Sequence, residues 1–506
     1  MSDGGLRVRG GAGGTAVGLA ALEAAAGRLA VSAQDLAASL ANVLLVAADP
    51  GLAGAAPSLV TAAAAEAALA VAAGPRGLAG DAARVAALAG ATAATVTAYR
   101  AADAEVARTV ALTQDAVMFA VGRNAPEVAV GVLTLRALGV DLGAALDRAV
   151  WEVPAIADLA GGADGLVAGL RTDPRTAPLL APGATDHRSR PGEARDYEDA
   201  LEVLTGTAAA WGLLDDGGAV QVQAEPVARA GACAPRSLED LARDQGNLGD
   251  AEDYPGHVRV VEVPTASGRA WIVEVSGTQV WDPRAGANPF DTTTDVRAMA
   301  QQSTALARGV QEALEQAQAE SLAAAARAGG PDGLEDGAEA AADGSGPDPS
   351  GEPVMLVGHS LGGIVAAAMA SSPAFTARHR VTHVVTMGSP VARMPVQSGT
   401  QVLSLEHRQD PVPRLEGAPN PDRAGWVTAT RDLDDGARDG TGSAAHGVGE
   451  YAATAAAVDR STDPSLVAWR GGSEAFFSLV TGEEVVVRDY RIARVVPTSR
   501  VAQSGP

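Results

Sequence analysis

The chain of 506 residues contains no lysine; all 38 of its basic side chains are arginine. That removes Walker-type phosphate binding, Schiff-base chemistry and every Ser-Lys dyad from consideration. Cysteine occurs once, at Cys233. No internal disulfide can form from a single thiol, and no thiolate metal site can be built. The neighbours of Cys233, AGACAPRS, supply no base, so it reads as a passive thiol. Aromatic residues make up 3% of the chain, and acidic side chains outnumber basic ones by 61 to 38. An excess of that sign argues against nucleic acid or an anionic membrane surface as the main partner. No stretch approaches 18 uninterrupted apolar residues, so no transmembrane segment is expected. Arg7 and Arg9 precede GGAGGTAVGLAAL, which is Gly-rich, and Glu23 stands where a cleavage region would lie. This reads as the start of a helix rather than a Sec signal peptide. Localisation stays open between cytoplasm and export.

Residues 15–46 carry Leu22, Leu29, Leu36 and Val43 at heptad spacing, with Leu19 and Leu40 on the adjacent row. That is an amphipathic helix in need of a helical partner, ended by Asp49-Pro50-Gly51. Helical stretches follow at about 58–73 and 80–120 around Gly74-Pro75, the second with Val85, Tyr99 and Val106 on one row. Residues 1–125 therefore read as a helical bundle whose alanines permit close approach, and as a surface for a protein partner. Short helices and a Pro-rich linker occupy 126–193.

Strand signals dominate the rest. VRVVEVP (258–264) and AWIVEVSGT (270–278) flank Ser267-Gly268 like a hairpin. A single long helix is expected over 295–328, and the acidic, Gly- and Pro-rich stretch 329–353 as a disordered insertion. THVVTMGSP (382–390) and QVLSLEH (401–407) are buried strand candidates, and VGEYAATAAAV (448–458) is a helix. These elements place an α/β domain at 194–470, with a mostly parallel sheet and helices on both faces. Residues 471–506 read as a β-hairpin tail turning at Thr481-Gly482.

The most informative decade is VMLVGHSLGG, 354–363. A β-branched run ends in Gly358-His359-Ser360-Leu361-Gly362, and the helical stretch GIVAAAMASS follows at once. Strand, sharp turn with serine at its apex, helix: this is the setting that makes a serine nucleophilic. Gly358 and Gly362 are needed because a Cβ at either would collide with the crossing elements. In a chain carrying 59 Gly, chance would supply roughly 0.3 such patterns, so the flanking context has to carry the reading. The plain alternative is a Gly-rich turn whose serine caps a helix.

A serine hydroxyl needs an imidazole to take its proton, and the imidazole needs a carboxylate to fix its tautomer. Of seven histidines, His446 alone lies well downstream of Ser360 with room for an acid between them. His379, His383 and His407 read as structural, and His359 as an elbow neighbour pointing away from the serine. Asp410, in QVLSLEHRQDPVPRL, is expected at the C-terminal end of the sheet, its loop stiffened by Pro411 and Pro413. Its competitors are Asp422, Asp432, Asp434, Asp435 and Asp439, in a polar Gly-rich stretch. For an oxyanion, one donor is expected from the Leu361 amide at the helix N-terminus. The other is sought at Gly277-Thr278, through the amide and hydroxyl of Thr278, where an ordinary strand-ending turn is nearly as good a reading.

Together these pieces resemble the class 3 lipase-like branch of the α/β-hydrolases. GHSLGG (358–363) is similar to that family's elbow, DPVP (410–413) to its acid loop, the His446 segment to its histidine segment, and SGT (276–278) to its oxyanion strand. The aromatic-Arg pair usual before that last motif is replaced by Val275-Ser276. The resemblance covers about 255–460. It implies an α/β-hydrolase fold preceded by an all-α bundle, and a serine esterase or lipase with Ser360, Asp410 and His446 as its triad. It implies no cofactor and no metal, and a small-molecule or lipid ester as substrate. The front half resembles the secreted helical-hairpin proteins of type VII export in actinobacteria, through Tyr99-x-x-x-Asp103. Their Trp-x-Gly turn is missing; the only such triplet is Trp469-Arg470-Gly471. The alternatives to an esterase are an exported binding protein with a vestigial hydrolase domain and an effector attacking phospholipids.

Overall fold

The computed structural model describes residues 5–48, 59–180, 197–225, 235–249, 252, 254–266, 268–328, 351–433, 440–477 and 485–495, the side chains of 59–61 excepted. Cys233, Ser267, the turn at Thr481-Gly482, most of the acidic stretch 329–353 and Asp434, Asp435 and Asp439 lie outside the described residues. The chain divides into two compact units, Thr15–Val110 and the remainder, Met1–Gly14 with Ala111–Pro506.

In the smaller unit run the helices Thr15–Ala47, Leu59–Ala73 and the first part of Leu78–Arg123. Alanine, not leucine, forms the buried rows: Ala26, Ala33, Ala89 and Val96 are covered while Leu22, Val43, Tyr99 and Val106 are exposed. The expected heptad seam is thus only half used, because small side chains line the groove between the first and third helices. Arg100 ties the two by an ion pair to Glu23 at 2.8 Å. Thr15–Ala47 is also long and apolar enough, by length and composition, to cross a membrane. Its three charges, Glu23, Arg28 and Asp35, are spread singly along it. An uninterrupted-run criterion therefore overlooks this helix.

Among the described residues the larger unit is built on one nine-stranded sheet. In chain order the strands are β1 (Leu6–Gly10), β2 (Val220–Ala224), β3 (His257–Thr265), β4 (Gly268–Val275), β5 (Pro353–His359), β6 (Arg380–Met387), β7 (Gln401–His407), β8 (Trp426–Arg431) and β9 (Val486–Arg494). Their order across the sheet is β1-β8-β7-β6-β5-β4-β3-β9-β2. The run β4 to β8 is parallel, while β1, β3, β9 and β2 add antiparallel flanks. The sheet is therefore mixed, with a parallel centre.

Both faces are covered, as alternation along β5 requires. Val354 and Leu356 join a core with Leu306, Val310 and Ile364 from the helices Ala305–Ala328 and Leu361–Ser371. Met355 and Val357 join the opposite core with Leu241, Ala455 and Trp469 from the helices Leu238–Leu248, Val448–Arg460 and Pro464–Gly472. Burial of these side chains is the main favourable term, at about 1.5–3 kcal/mol for each large one.

Three local expectations need correction. Leu6–Gly10 is not a helix start but an edge strand, paired antiparallel with β8 from Leu6 opposite Arg431 to Gly10 opposite Val427. Gly10 ends it at φ 76°, where a Cβ would sit 2.1 Å from the Trp426 carbonyl oxygen. The helix expected over 295–328 is two, Thr292–Met299 and Ala305–Ala328, separated by Gln301 at φ 55°. Asp216 restarts the chain there by accepting from the Ala305 amide at 2.5 Å. Of the expected tail, Val486–Arg494 enters the sheet between β3 and β2, and Glu474–Phe476 is a 3-10 turn rather than a strand.

Charges hold this last strand in register. Arg259 on β3 is buried and donates to Asp489 on β9 at 2.8 and 3.0 Å, and to Asp244 at 3.0 Å. A buried ion pair is weak evidence of net stability, but breaking one is costly because it strands the partner charge. Replacing Arg259 by Met leaves Asp489 and Asp244 without their cation. The expected loss is about 3–5 kcal/mol in equilibrium unfolding at pH 7, and a loss within experimental error would show that the network is not needed.

Candidate active site

Ser360 stands at the end of β5 with φ 55° and ψ −123°, a conformation a side-chain-bearing residue adopts only when its surroundings enforce it. The enforcement is visible. Its amide donates to the Met387 carbonyl of β6 at 2.9 Å. A Cβ on Gly358 would lie 2.1 Å from the carbonyl carbon of Gly362, and one on Gly362 would lie 1.9 Å from the Val275 oxygen. Glycine at both positions lets the strand, the turn and the helix Leu361–Ser371 cross at backbone contact.

Three residues from separate segments meet at this turn. His446 follows the short helix Gly442–Ala445, and its Nε2 lies 3.0 Å from Ser360 Oγ. Its Nδ1 lies 2.8 Å from Asp410 Oδ2. Asp410 is fully buried just beyond β7; its Oδ1 accepts from the Val412 amide at 2.9 Å. Its Oδ2 also accepts from the Tyr451 hydroxyl at 2.6 Å. A carboxylate beside Nδ1 makes that nitrogen the donor, so in the neutral ring Nε2 faces the serine as an acceptor. Such an arrangement can take a proton from a hydroxyl and return it to a leaving group.

The other candidates fall as follows. Leu361 is the first residue of its helix, so its N–H has no carbonyl within the helix to bind. Gly277 packs against the serine, since a Cβ there would stand 3.2 Å from Ser360 Cβ. The Thr278 hydroxyl, expected to face an oxyanion, instead donates to Asp295 at 2.9 and 3.1 Å. The carboxylate that captures it is half-buried on the helix Thr292–Met299. Asp432 is turned to Arg408 and Gln409 at 2.9 and 2.7 Å. Among the described residues, no group of three or more His, Cys, Asp or Glu could hold a metal ion.

Several participants were not foreseen. His359 contributes through the histidine loop: its Nε2 donates to the His446 carbonyl at 2.9 Å, and the two rings lie 4.7 Å apart. Burial, reinforced by His446, pushes the His359 imidazole down to about 3. Tyr451 lies in the segment after His446, but only the folded chain shows its hydroxyl reaching Asp410. Asp295 sits on the next helix, where no local spacing marks it.

Burial pushes the Asp295 carboxyl up to about 7, with Asp291 adding to the rise and Thr278 and His446 opposing it. In the unfolded chain it would ionise near 3.8. Between these values the folded state holds the extra proton, so stability falls as pH rises from about 4 to about 7. Asp295→Asn keeps the size and a partner for Thr278 while removing this ionisation. Denaturant midpoints at pH 5 and pH 8 should show the variant gaining on the wild type by more at pH 8; an equal difference at both would refute the shift.

With this geometry in view, residues 292–439 match the PGAP1-like alpha/beta domain family. No curated protein and no solved structure matches the chain. The matched stretch contains Ser360 and Asp410 and stops short of His446. It supports an α/β-hydrolase-like domain of lipase or esterase type, carried on the mixed sheet described above and preceded by helices.

Proposed function

We propose that this protein is a serine hydrolase that cleaves carboxylic esters through an acyl-enzyme. The observation that carries the reading is the hydrogen-bonded series Asp410, His446, Ser360, at 2.8 and 3.0 Å, on a serine held at φ 55°. In the first half-reaction Ser360 Oγ attacks the ester carbonyl carbon while His446 Nε2 takes its proton. The tetrahedral intermediate then collapses, the C–O bond to the alcohol breaks, and His446 protonates the departing oxygen. Water repeats the sequence on the acyl-enzyme and releases the acid. Asp410 holds the ring and stabilises the imidazolium.

The developing oxyanion needs two preorganised donors. The Leu361 amide serves as one, aided by the helix N-terminus. The Thr278 amide serves as the second, with its side chain locked by Asp295. A second reading attaches to the smaller unit: Tyr99 and Asp103 are both exposed one turn apart on one helix, as a type VII export signal requires.

Labelling by a fluorophosphonate probe, followed by hydrolysis of p-nitrophenyl esters from acetate to palmitate, tests the enzymatic reading. Ser360→Ala should abolish labelling and lower kcat by at least about 10⁴-fold, with His446→Ala close behind. Asp410→Asn should cost about 10⁴-fold by favouring the wrong tautomer. A wild-type protein that neither labels nor hydrolyses any ester in the panel would leave a vestigial domain as the answer.

A further inference from the structure

Two histidines that the proposed reaction does not use hold consecutive carbonyls of the loop that carries His446. His359, at the end of β5, donates from Nε2 to the carbonyl of His446 at 2.9 Å. His407, at the end of β7, donates from Nδ1 to the carbonyl of Ala445 at 2.7 Å. A carbonyl can only accept, so each contact fixes which ring nitrogen bears hydrogen. The second nitrogen of His407 lies 2.7 Å from the Thr454 hydroxyl, which can donate to it. Tyr451 joins the pair physically: its ring stacks on His407 at 4.0 Å and lies 5.6 Å from His359, while its hydroxyl reaches Asp410.

The loop needs such support. His446 ends a four-residue helix and is followed by Gly447, and Gly442 opens that helix. One short turn between glycines cannot by itself hold an imidazole to a fraction of an ångström. The two histidines come from the strands that also lead to the serine and to the acid. The loop is therefore tied on one side to the strand that carries the serine and on the other to the strand that leads to the acid.

We propose that His359 and His407 are positioning residues that act as a pair, clamping the Ala445–His446 backbone so that the His446 ring stays between Asp410 and Ser360. This rests on the serine-hydrolase reading above. Burial pushes both imidazoles down, His359 to about 3, which favours the neutral rings that these contacts use.

The test separates the donor from the ring. His359→Phe and His407→Phe keep an aromatic ring without the N–H, whereas His359→Gln and His407→Asn keep a donor near the original nitrogen. With p-nitrophenyl acetate, each Phe variant should lower kcat by about 10- to 100-fold, the cost of a misplaced catalytic group, while KM moves by no more than about twofold. The double Phe variant should lose less than the product of the two single losses, since both hold the same short loop. The Gln and Asn variants should recover to within about threefold of wild type. Phe variants as active as wild type, or equal losses in the donor-keeping variants, would overturn the clamp.

Fluorophosphonate labelling of wild type and Ser360→Ala, run in parallel, distinguishes the two failures. An unlabelled wild type removes the hydrolase reading itself, and a labelled wild type with unaffected Phe variants removes only the clamp. Nitrogen-15 spectra of histidine-labelled protein at pH 7.5 give a readout independent of activity. They should show His359 protonated at Nε2 and His407 at Nδ1, and the opposite tautomer of either refutes the arrangement.

Discussion

The whole site depends on a backbone crossing with no room for a side chain. β5, the Ser360 turn and the following helix touch through Gly358 and Gly362, and the end of β4 touches the same turn through the Val275 carbonyl. That contact drives Ser360 to a positive φ, with its hydroxyl 3.0 Å from His446 Nε2. The strain, of order 1–3 kcal/mol, is offset by burial of the helix on both sides of the crossing, where Leu361, Val365 and Ala367 are almost completely covered. A rigid crossing of this kind gives a serine a fixed position without any contribution from its own side chain.

Around that fixed point the protein sorts its histidines by environment. His359, His383 and His407 are all held below the usual imidazole range by burial, and each contacts an aromatic ring. Among the described histidines His446 alone is set against a buried carboxylate while remaining partly open to solvent. The other three hold a backbone carbonyl or a hydroxyl: His359 and His407 a carbonyl each, and His383 the Thr382 hydroxyl.

The parts of this arrangement that were legible in the sequence are local in the chain. The elbow is written in ten consecutive residues, and Asp410 follows from a strand that ends three residues earlier. His446 follows by elimination among seven histidines, and the structure brings all three within hydrogen-bonding distance. What was not legible depends on distant partners. LRVRG shows no sign of its place at the sheet edge, because its partner strand lies more than 400 residues away. The partner of His359 was not legible either, because the carbonyl it binds lies 87 residues further on. The place of β9 was not legible for the same reason: it has the pattern of a hairpin arm, and its partner β3, paired from His257 opposite Arg491 to Glu262 opposite Val486, lies more than 200 residues earlier.

That last strand bears on the site through a series of contacts. Arg494, at the end of β9, donates to Asp216 and to Asp291 at 2.6 and 2.8 Å within the core. Asp291 in turn caps the helix Thr292–Met299 by accepting from the Thr294 amide at 3.0 Å. One turn into that helix stands Asp295, which holds the Thr278 hydroxyl beside the serine turn. The guanidinium thus fixes a helix start, the helix fixes a carboxyl, and the carboxyl fixes the residue next to Gly277. In a chain without lysine, a planar cation with several donors suits this junction, since it can satisfy two buried carboxylates and a carbonyl at once. The strand next to the β2 edge of the sheet is in this way coupled to Thr278, beside the serine turn, by ion pairs and hydrogen bonds.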